Sequence, residues 1–449
     1  MDFWNRPLSE VTICTSNTQS LLGLTDEQGC AQIEVPEGSE IILTLFNRQS
    51  RIVRVNTSRI EVRLSDKDRL FDIGYDERIR KSESTASLSQ AVSEDIQASG
   101  NTTVMNNLYG LIPGLGVYQG SNLPWDNSPS LYVRGQGSFG GNQVLVLVDG
   151  IERDMAQISP KEVESITVLK DAASLALYGN RGADGVVVIT TKRGGDHGLR
   201  SQIDYNFGVQ TPFRIPHMAD GYTYASAVNE ALSNDRLSPR YTMHDMRLIA
   251  GHMHPQLFPD IDWQALILRK VAFTHDVNLT FDGKGQRIRY FVYANYNSNR
   301  GFLNNTEMND GYSTQIGMDA LKVRSNIEAR LTKSTVARIN LMGRLMQYQH
   351  PSAGTNLSGM YDTPAAAFYP LAPQSEGGGW VRSRLCKNPL ADLTSRGYNT
   401  VLQRTLFADL TIDQNLEMIT PGLSAQVRVA YDNSAEITDM RTCDFAYME

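Results

Sequence analysis

Cysteine is scarce in this sequence of 449 residues, and charge of neither sign dominates. Its four cysteines, Cys14, Cys30, Cys386 and Cys443, are widely spaced and form no C-x-x-C pair, which argues against a zinc site. We expect buried free thiols, although Cys14 and Cys30 could pair within a small β domain. The formal net charge of −7 gives no electrostatic reason to expect a nucleic-acid partner.

Long apolar runs are also missing. No run approaches the roughly 18 apolar residues of a membrane-spanning helix. That observation excludes a helical membrane protein but leaves open a membrane β-barrel, whose strands alternate apolar and polar residues. The first ten residues, MDFWNRPLSE, contain neither the basic nor the apolar region of a signal peptide, so none is visible. Hydrophobic residues nevertheless make up 41% of the chain, which is typical of folded protein.

Motifs for enzyme chemistry are equally few. GQGSFG at residues 135–140 fits the G-x-G-x-x-G spacing of dinucleotide-binding loops. Such a loop must open a helix, because the helix N-terminus binds the pyrophosphate. The next residues, QVLVLVDG at 143–150, have instead the pattern of a strand. The sequence therefore favours a glycine-rich connection between two strands, and we expect neither an enzyme nor a cofactor.

Short β-rich runs separated by turn signals fill residues 9–65 and predict a small β-sandwich. The runs are EVTICT, CAQIEV, EIILTLF, RIVRV and RIEVRL. Residues 65–99 are more polar, with too few apolar residues for a core, and predict an exposed linker. An isolated apolar patch, LFDIGY at residues 70–75, interrupts this linker and is either a fraying strand or a docking peptide.

Residues 100–196 have the pattern of a compact α/β unit. Strands are predicted at residues 131–135, 143–150, 163–169 and 186–191. A short helix is predicted near residues 106–114, and an amphipathic one over residues 170–178. Asp171 is the expected N-cap of the second helix and Gly179 its C-cap signal.

After Gly195 the sequence changes to long strands with one apolar and one polar face, such as Ile203 and Tyr205 alternating with Asp204 and Asn206. Further strands are predicted near residues 277–281, 288–296, 323–331, 337–345, 404–412 and 423–431. Strand by strand, a soluble sandwich would look the same. The length and number of the strands favour a membrane barrel, with lipid outside and water inside. The long polar stretches between them, such as residues 350–399, are expected to be extramembrane loops.

Three stretches resemble the plug domain of TonB-dependent outer-membrane receptors of the SusC/RagA family. They are VRG with the glycine loop, VLVLVDG at 144–150 and, most specifically, TVLKDAASLALYGNRGADGVVVITTK at 167–192. The plug-motif residues implied by this resemblance are Arg134, Gly135, Gly137, Asp149, Gly150, Lys170, Asp171, Tyr178, Gly179, Arg181, Gly182 and Gly185. The glycine loop is thus interpreted as a family marker, in which we expect Gly135 and Gly137 to take positive φ or to make tight contacts.

The resemblance continues on both sides of the plug. Residues 25–38 are similar to the carboxypeptidase-regulatory-like sandwich of this family, and residues 261–263, 277–281 and 289–296 resemble its first barrel strands. The TonB box of the family corresponds to Leu70, Phe71, Asp72, Ile73, Gly74 and Tyr75. In this chain Phe71-Asp72-Ile73 replaces the run of valines that is usual there.

We therefore expect a mainly β chain with a small β-sandwich, an α/β plug and an incomplete antiparallel transmembrane β-barrel. The expected parts are a carboxypeptidase-regulatory-like sandwich at 1–68, a linker with the TonB-box-like segment at 69–99, the plug at 100–196 and a partial barrel at 197–449. The last part suffices for about half of the roughly 22 strands of a large plugged barrel. The sandwich begins at Pro7-Leu8 as if after its first strand. We interpret the chain as an N-terminal half, truncated at both ends.

The resemblance implies TonB-dependent import of an oligosaccharide or a peptide across the outer membrane. Its implied partners are TonB in the periplasm, a SusD-like surface lipoprotein and outer-membrane lipid, with no nucleic acid and no cofactor. A siderophore-type receptor is one alternative, against which the glycine-rich plug signature and the regulatory-like domain argue. A soluble β-rich binding protein and a non-functional remnant are the others.

Overall fold

The structure, a computed structural model, is mainly β, as the sequence predicts, and contains three β units in sequence order. It describes residues 11–15, 21–44, 51–62, 70–75, 77–80, 83–121, 123–126, 129–137, 143–195, 197–309, 311–373, 375 and 378–448. Pro7-Leu8, the end of the glycine loop from Ser138 to Gly140, and the ends of two predicted strands (residues 45–46 and 63–64) lie outside the described residues.

The first unit is a four-stranded antiparallel sheet. Its strands are β1 (Thr12–Thr15), β2 (Leu21–Leu24), β3 (Glu40–Thr44) and β4 (Arg51–Arg54), in the spatial order β2-β1-β3-β4. Two extended segments, residues 30–35 and 55–62, cover its apolar face through Ile33, Val35 and Val62. Neither segment pairs as a strand among its described residues. The predicted sandwich is therefore one sheet with a covering layer.

The four cysteines are free thiols. Cys30 is exposed and the other three are half-buried, so the prediction of buried thiols is wrong. Cys14 lies on β1, whereas Cys30 follows the turn after β2, where its amide N–H donates to the Asp26 carboxylate at 2.8 Å. The sequence left open a disulfide between Cys14 and Cys30, and the structure does not contain it.

Much of the predicted linker is folded. Its apolar patch forms β5 (Leu70–Gly74), which pairs with β6 (Glu77–Arg80) in an antiparallel hairpin, named here the box hairpin. The next strand, β7 (Leu88–Val92), joins the sheet of the second unit and is followed by helix α1 (Ser93–Gln97). The expectation of an exposed linker is wrong for these residues, because Phe71, Ala91 and Ile96 are buried.

The second unit, named here the plug unit, comprises residues 83–195. Its further elements are β8 (Leu115–Tyr118), β9 (Ser130–Val133), β10 (Leu145–Val148), β11 (Ile151–Glu152), β12 (Val163–Leu169), helix α2 (Ala172–Leu175) and β13 (Val186–Thr191). Five strands form a mixed sheet in the order β11-β10-β13-β12-β7, and β8 pairs with β9 separately. β12 and β13 have the predicted bounds, but the helix predicted near residues 106–114 is only a 3₁₀ turn at Met105–Leu108.

Both faces of the plug sheet are buried. On β13, Val187 and Ile189 contribute to one apolar cluster, while Val186 and Val188 contribute to another that includes Tyr178. A central strand covered on both faces favours apolar residues at successive positions, which explains the continuous VVVI run at the start of β13.

The third unit contains the long strands. Its elements are β14 (Arg200–Gln210), α3 (Gly221–Asn234), α4 (Met243–Ala250), α5 (Trp263–Ile267), β15 (Ala272–Lys284), β16 (Ile288–Arg300), β17 (Gly317–Arg330), β18 (Thr335–Pro351), α6 (Gly359–Asp362), β19 (Trp380–Val381), α7 (Pro389–Ser395), β20 (Gly397–Asn415), β21 (Ser424–Thr442) and β22 (Tyr447–Met448). All strands except β19 and β22 form one antiparallel sheet of seven, named here the wall sheet. Its two edges, β14 and β21, do not pair with each other, so the wall is open.

The connections of the wall sheet differ between its two ends. At one end the turns are short, at residues 285–287, 331–334 and 416–423. At the other end lie the long segments 211–271, 301–316 and 352–396, which contain helices α3 to α7. Among the described residues, no helix is long and apolar enough to cross a membrane. The plug unit leads into β14 at the end with the short turns, since Arg200 pairs with Asp282 there.

The apolar face of the wall sheet is exposed and its polar face is buried. Large apolar side chains that are 37–47% exposed are Leu321, Val323, Ile339, Leu341, Leu345, Leu406, Leu410 and Ile412. On the opposite face, Lys322, Arg324 and Asn340 are only 7%, 1% and 4% exposed. A soluble sandwich buries its apolar faces, so this arrangement excludes that alternative and fits a wall in lipid. The sequence predicted that the polar face would contact water. In the structure this face contacts the plug unit.

Candidate functional site

Glu162 of the plug unit forms a buried ion cluster with Lys322 and Arg324 of the wall sheet, named here the Glu162 cluster. The carboxylate is fully buried, lies 3.1 Å from Lys322 Nζ and also binds Arg324 Nε. Glu162 closes a 3₁₀ turn through a capping box with Ser159, whose amide N–H donates to the same carboxylate. Burial by itself would raise the pKa of Glu162, but both cations and this N–H outweigh burial and lower the pKa.

A second cluster, the Arg153 cluster, joins the buried Arg153 of the plug unit to the buried Asp409 on β20 and to the more exposed Asp432 on β21. The Arg153 guanidinium donates to the Asp409 carboxylate at 2.9 Å and to that of Asp432 at 2.8 Å. It also lies 4.9 Å from the centre of the Phe407 ring. Asn340 donates to Asp409 at 2.7 Å and so fixes that carboxylate. The planar, multidentate guanidinium suits a contact to two strands at once.

Further hydrogen bonds join the wall sheet to the plug unit at the end of β13 and at the turn after β10. Asn326 Nδ2 donates to Thr191 Oγ1 at 2.8 Å and to the Lys192 carbonyl at 2.7 Å. Arg428 Nη1 donates to the Asp149 carbonyl at 3.0 Å. The plug unit is therefore held by side chains from β17, β20 and β21.

The sequence alone does not identify the ion partners of Glu162. Lys322 and Arg324 alternate with Leu321 and Val323 and therefore share one face of β17. That alternation was the available signal, but it identifies a polar face without showing what covers it. Lys322 is 160 residues from Glu162, so no local pattern joins them.

Two of the sequence-predicted motif residues, Asp149 and Gly150, form the tight turn between β10 and β11. Both have positive φ, 51° and 82°, as the favoured two-residue hairpin turn requires. The Asp149 carboxylate accepts from the Thr191 amide at 3.0 Å and from its hydroxyl at 2.7 Å. A Cβ at Gly150 would overlap Arg428 Nη1, so the glycine lets the wall approach the turn.

Lys170 and Asp171 lie between β12 and α2 and bind the start of β7. Lys170 Nζ donates to Ser89 Oγ at 2.6 Å. Asp171 is the N-cap of α2, as predicted, and accepts from the Ser174 amide at 3.2 Å. Its second oxygen accepts from the Ser87 amide at 2.6 Å. One carboxylate thus caps the helix and fixes the start of β7.

The glycine loop meets the expectation at one position only. Gly135 has φ +91°, which confirms the expectation there, and the preceding Arg134 also has positive φ. Gly137 has no positive φ, and a Cβ placed on it would lie more than 4 Å from other atoms of the residues that the structure describes, so the expectation is wrong at this position. Of these two glycines, only Gly135 therefore has a backbone conformation that favours glycine.

The remaining motif residues have mixed roles. Gly179 and Gly185 have φ of +54° and +99°, and a Cβ on Gly185 would lie 2.6 Å from the Val133 side chain. A Cβ on Gly182 would lie 2.9 Å from that of Tyr178. Arg181 forms an exposed ion pair with Glu152.

The motif residues do not converge on one pocket. Gly185 and Lys170 lie at the end of the sheet where Val186 pairs with both Leu145 and Leu169. Asp149 and Gly150 lie at the opposite end, past the pair of Val148 with Ile189. They are therefore structural elements of one unit and not a single binding site.

Tyr178 is the motif residue that contacts the predicted TonB-box segment. Its hydroxyl donates to the Ile73 carbonyl, and its ring stacks on Tyr75 with 5.5 Å between ring centres. Thr190 Oγ1 donates to the Asp72 carboxylate at 2.9 Å. Burial raises the pKa of Tyr178, as do Tyr75 and Asp72, so the hydroxyl stays protonated and remains a donor.

A charged cavity of about 590 Å³ lies between the box hairpin, the plug unit and the wall sheet. Its acidic lining residues are Asp72, Asp149, Glu164, Asp204, Asp282 and Glu328, and its basic ones are Arg78, Lys161, Lys192, Arg193, Arg200, Arg289 and Arg338. Within the described part of the chain, no group of three or more His, Cys, Asp or Glu side chains is arranged to hold a metal ion. The cavity is thus a polar space at the end with the short turns.

Comparison with known proteins identifies relatives of this arrangement. A family model, the TonB-dependent receptor plug domain, matches residues 80–186. TonB-dependent receptor P26 of Formosa agariphila is 29% identical over 69% of this chain and 30% of its own length. TonB-dependent receptor SusC of Bacteroides thetaiotaomicron is 25% identical over 62% of this chain and 28% of its own length. The chain therefore spans about a third of these curated relatives.

A solved structure shows the same fold. The RagAB peptide importer in its open-open state superposes with a TM-score of 0.66 at 20% identity, covering 82% of this chain and 43% of the other. Its closed-closed state gives a TM-score of 0.64. The fold of most of this chain thus forms part of a larger solved structure.

Proposed function

We propose that this chain, which belongs to the TonB-dependent receptors of the SusC/RagA type, serves the TonB-dependent import of a nutrient as part of such a receptor. The outer membrane is its location. The proposed cargo is an oligosaccharide or a peptide, and the second class is supported by one structural neighbour that is a peptide importer. TonB and a SusD-like surface lipoprotein are the proposed partners. The proposal involves no enzymatic step.

The observation that carries this proposal is the polarity of the wall sheet, which is the reverse of that in a soluble sandwich. Its apolar face is exposed, which suits lipid, and its polar face holds the plug unit through the Glu162 and Arg153 clusters. A plug held on the inner side of a wall blocks passage, so import requires that the plug moves. The box hairpin offers a partner a β-strand on which to pull, because extended segments bind by strand addition.

Growth of cells tests the proposal. A strain that lacks the gene is supplied with either an oligosaccharide mixture or a peptide mixture as its sole carbon source. We expect growth to fail on one mixture and to return with the wild-type gene, but not with a variant lacking residues 70–75. Growth on both mixtures without the gene, or full rescue by that variant, would overturn the proposal.

A further inference from the structure

We propose that the interface between the plug unit and the wall sheet binds a small inorganic anion, of the size of chloride, among Lys322, Arg324 and Arg344. This site, named here the anion site, adjoins the Glu162 cluster and shares its two cations. The inference goes beyond the proposed function, because it concerns what holds the plug unit in place and not what the receptor transports.

The first argument is the balance of charges. Lys322 and Arg324 lie on β17 and Arg344 lies on β18, and all three are on the face of the wall sheet that contacts the plug unit. Among the described residues, Glu162 is the one carboxylate within ion-pair distance of any of them. Three cations therefore share one carboxylate, which leaves an excess of two positive charges.

The second argument is the register of the wall sheet. Lys322 pairs directly with Arg344, which places their Cβ atoms about 4.5–5.5 Å apart. Arg344 and Arg324 both act electrostatically on Lys322. Like charges directly opposite each other on neighbouring strands are destabilising. An anion between them replaces this repulsion with attraction, and the short distance between the strands favours a small one.

The third argument is a buried donor that has no acceptor. Arg324 is 1% exposed, and its Nε donates to the Glu162 carboxylate. Its Nη2 is also buried, but finds no hydrogen-bond partner among the described residues. Buried polar groups are rarely left in this state, because burial removes the water that would otherwise accept from them. An anion accepts from several donors at once and so satisfies Nη2.

Arg344 supplies the third cation, and its hydrogen bonds go to neutral groups. It donates to Gln157 Oε1 of the plug unit at 2.6 Å and to Met346 Sδ at 3.0 Å. Asp154 acts on Arg344 electrostatically, but Asp154 is exposed and is connected to it through Gln157, whose amide donates to Asp154 at 3.4 Å. Within the described part of the chain, the Arg344 guanidinium thus has no direct carboxylate partner.

Other basic side chains at this interface have carboxylates of their own. Arg338, on the same strand and the same face as Arg344, forms an ion pair with Asp413 of β20. Arg153 of the plug unit binds two carboxylates. The excess of positive charge therefore lies at the three cations of the anion site and is not a general property of the interface.

The anion contacts the wall sheet through these three cations and lies beside Glu162 and Gln157 of the plug unit. It lowers the excess from two positive charges to one, so the plug unit is held more firmly when the anion is bound. A ligand that binds only the folded chain stabilises it by mass action. The stability of the chain therefore depends on the concentration of the anion.

Thermal unfolding of the full chain in detergent tests the site. Chloride replaces gluconate, which is too large for the gap between paired strands, at constant ionic strength. We expect the unfolding midpoint to rise by about 2–4 °C with chloride and the rise to saturate. A midpoint that ignores chloride, or that rises without saturation as in a general salt effect, would overturn the site.

The variant Arg344→Gln removes one cation and should abolish the response of the midpoint to chloride, whatever its own stability. Arg338→Gln is the matched control, because Arg338 lies on the same face of β18 and has its own carboxylate partner. The control should unfold at a lower temperature in both anions and keep the response to chloride. A response in Arg344→Gln as large as in the wild type would contradict the proposal.

Bromide provides a readout that needs no variant. Crystals of the wild-type chain grown in bromide should show an anomalous diffraction peak within hydrogen-bond distance of Arg324 Nη2 and beside Arg344. Bromide at the protein surface alone, or a water molecule at Arg324 Nη2, would show that the anion site does not exist. Neither measurement involves TonB or a cargo, so its failure leaves the proposed function standing, and failure of the growth experiment leaves the anion site standing.

Discussion

At the scale of single residues, burial decides which ion pairs hold the plug unit. The carboxylate of Glu162 is fully buried against two cations, whereas the side chains of Glu152 and Arg181 are 56% and 68% exposed. Removing one member of a buried pair leaves the other charge without compensation, at a cost of about 3–5 kcal/mol. Exposed pairs contribute roughly 0–1 kcal/mol, because water screens them. The two glutamates, both in the plug unit, therefore form a matched comparison.

We expect Glu162→Gln to lower the free energy of unfolding by about 3–5 kcal/mol, because Lys322 and Arg324 lose their buried counter-charge. Glu152→Gln should change it by less than about 1 kcal/mol. Denaturant titration in detergent measures both values. Equal effects of the two substitutions would show that the Glu162 cluster does not anchor the plug unit.

The glycine loop provides a second test at this scale. Gly135→Ala should destabilise the chain by about 1–2 kcal/mol, because a Cβ disfavours the positive φ at that position. Gly137→Ala should be neutral or slightly stabilising, since φ is not positive there and no atom of the described residues would crowd the added Cβ. Thermal unfolding midpoints distinguish the two variants. A larger loss at Gly137 than at Gly135 would contradict this account of the loop.

At the scale of elements, strands buried on both faces were predictable and covering segments were not. Residues 163–169 and 186–191 were predicted with their observed bounds, because apolar, β-branched runs leave few alternatives. CAQIEV at residues 30–35 was also identified as a β-rich run but only covers a sheet. Strand pairing depends on distant partners, which a local pattern does not specify.

Helix α2 depends on its cap, because it has only four residues. Asp171→Ala should cost about 1–2 kcal/mol, since it removes the acceptor for both the Ser174 and Ser87 amides. Asp171→Asn keeps an N-cap acceptor and should retain most of that stability. Chemical denaturation compares the two. A loss of stability with asparagine as large as with alanine would contradict the capping role.

At the scale of the whole molecule, the sequence predicted the parts better than their contacts. Residues 70–75 and the plug motif were both identified, but nothing in either pattern joined Ile73 to Tyr178, which is 105 residues away. The Arg153 cluster is similar, because Asp432 follows Arg153 by 279 residues. Contacts over such distances form only when the wall sheet packs against the plug unit.

The polarity of the wall sheet is the property on which the location of the chain depends. Alternation along β17 or β18 fits a soluble sandwich and a membrane wall equally well. The plug unit resolves the ambiguity, since it covers Lys322, Arg324 and Asn340 and leaves the face with Leu321 and Leu341 exposed.

The most direct test is the accessibility of spin labels placed singly at residues 339–346 of β18 in lipid vesicles, with the native cysteines replaced. Labels at Ile339, Leu341 and Leu345 should be reached by oxygen dissolved in the lipid and shielded from a water-soluble relaxation agent. Labels at Asn340, Met342 and Met346 face the plug unit and should be shielded from both. Accessibility that alternates with this period of two supports the account. Access of the water-soluble agent to Ile339, Leu341 and Leu345, or the absence of alternation, would contradict it.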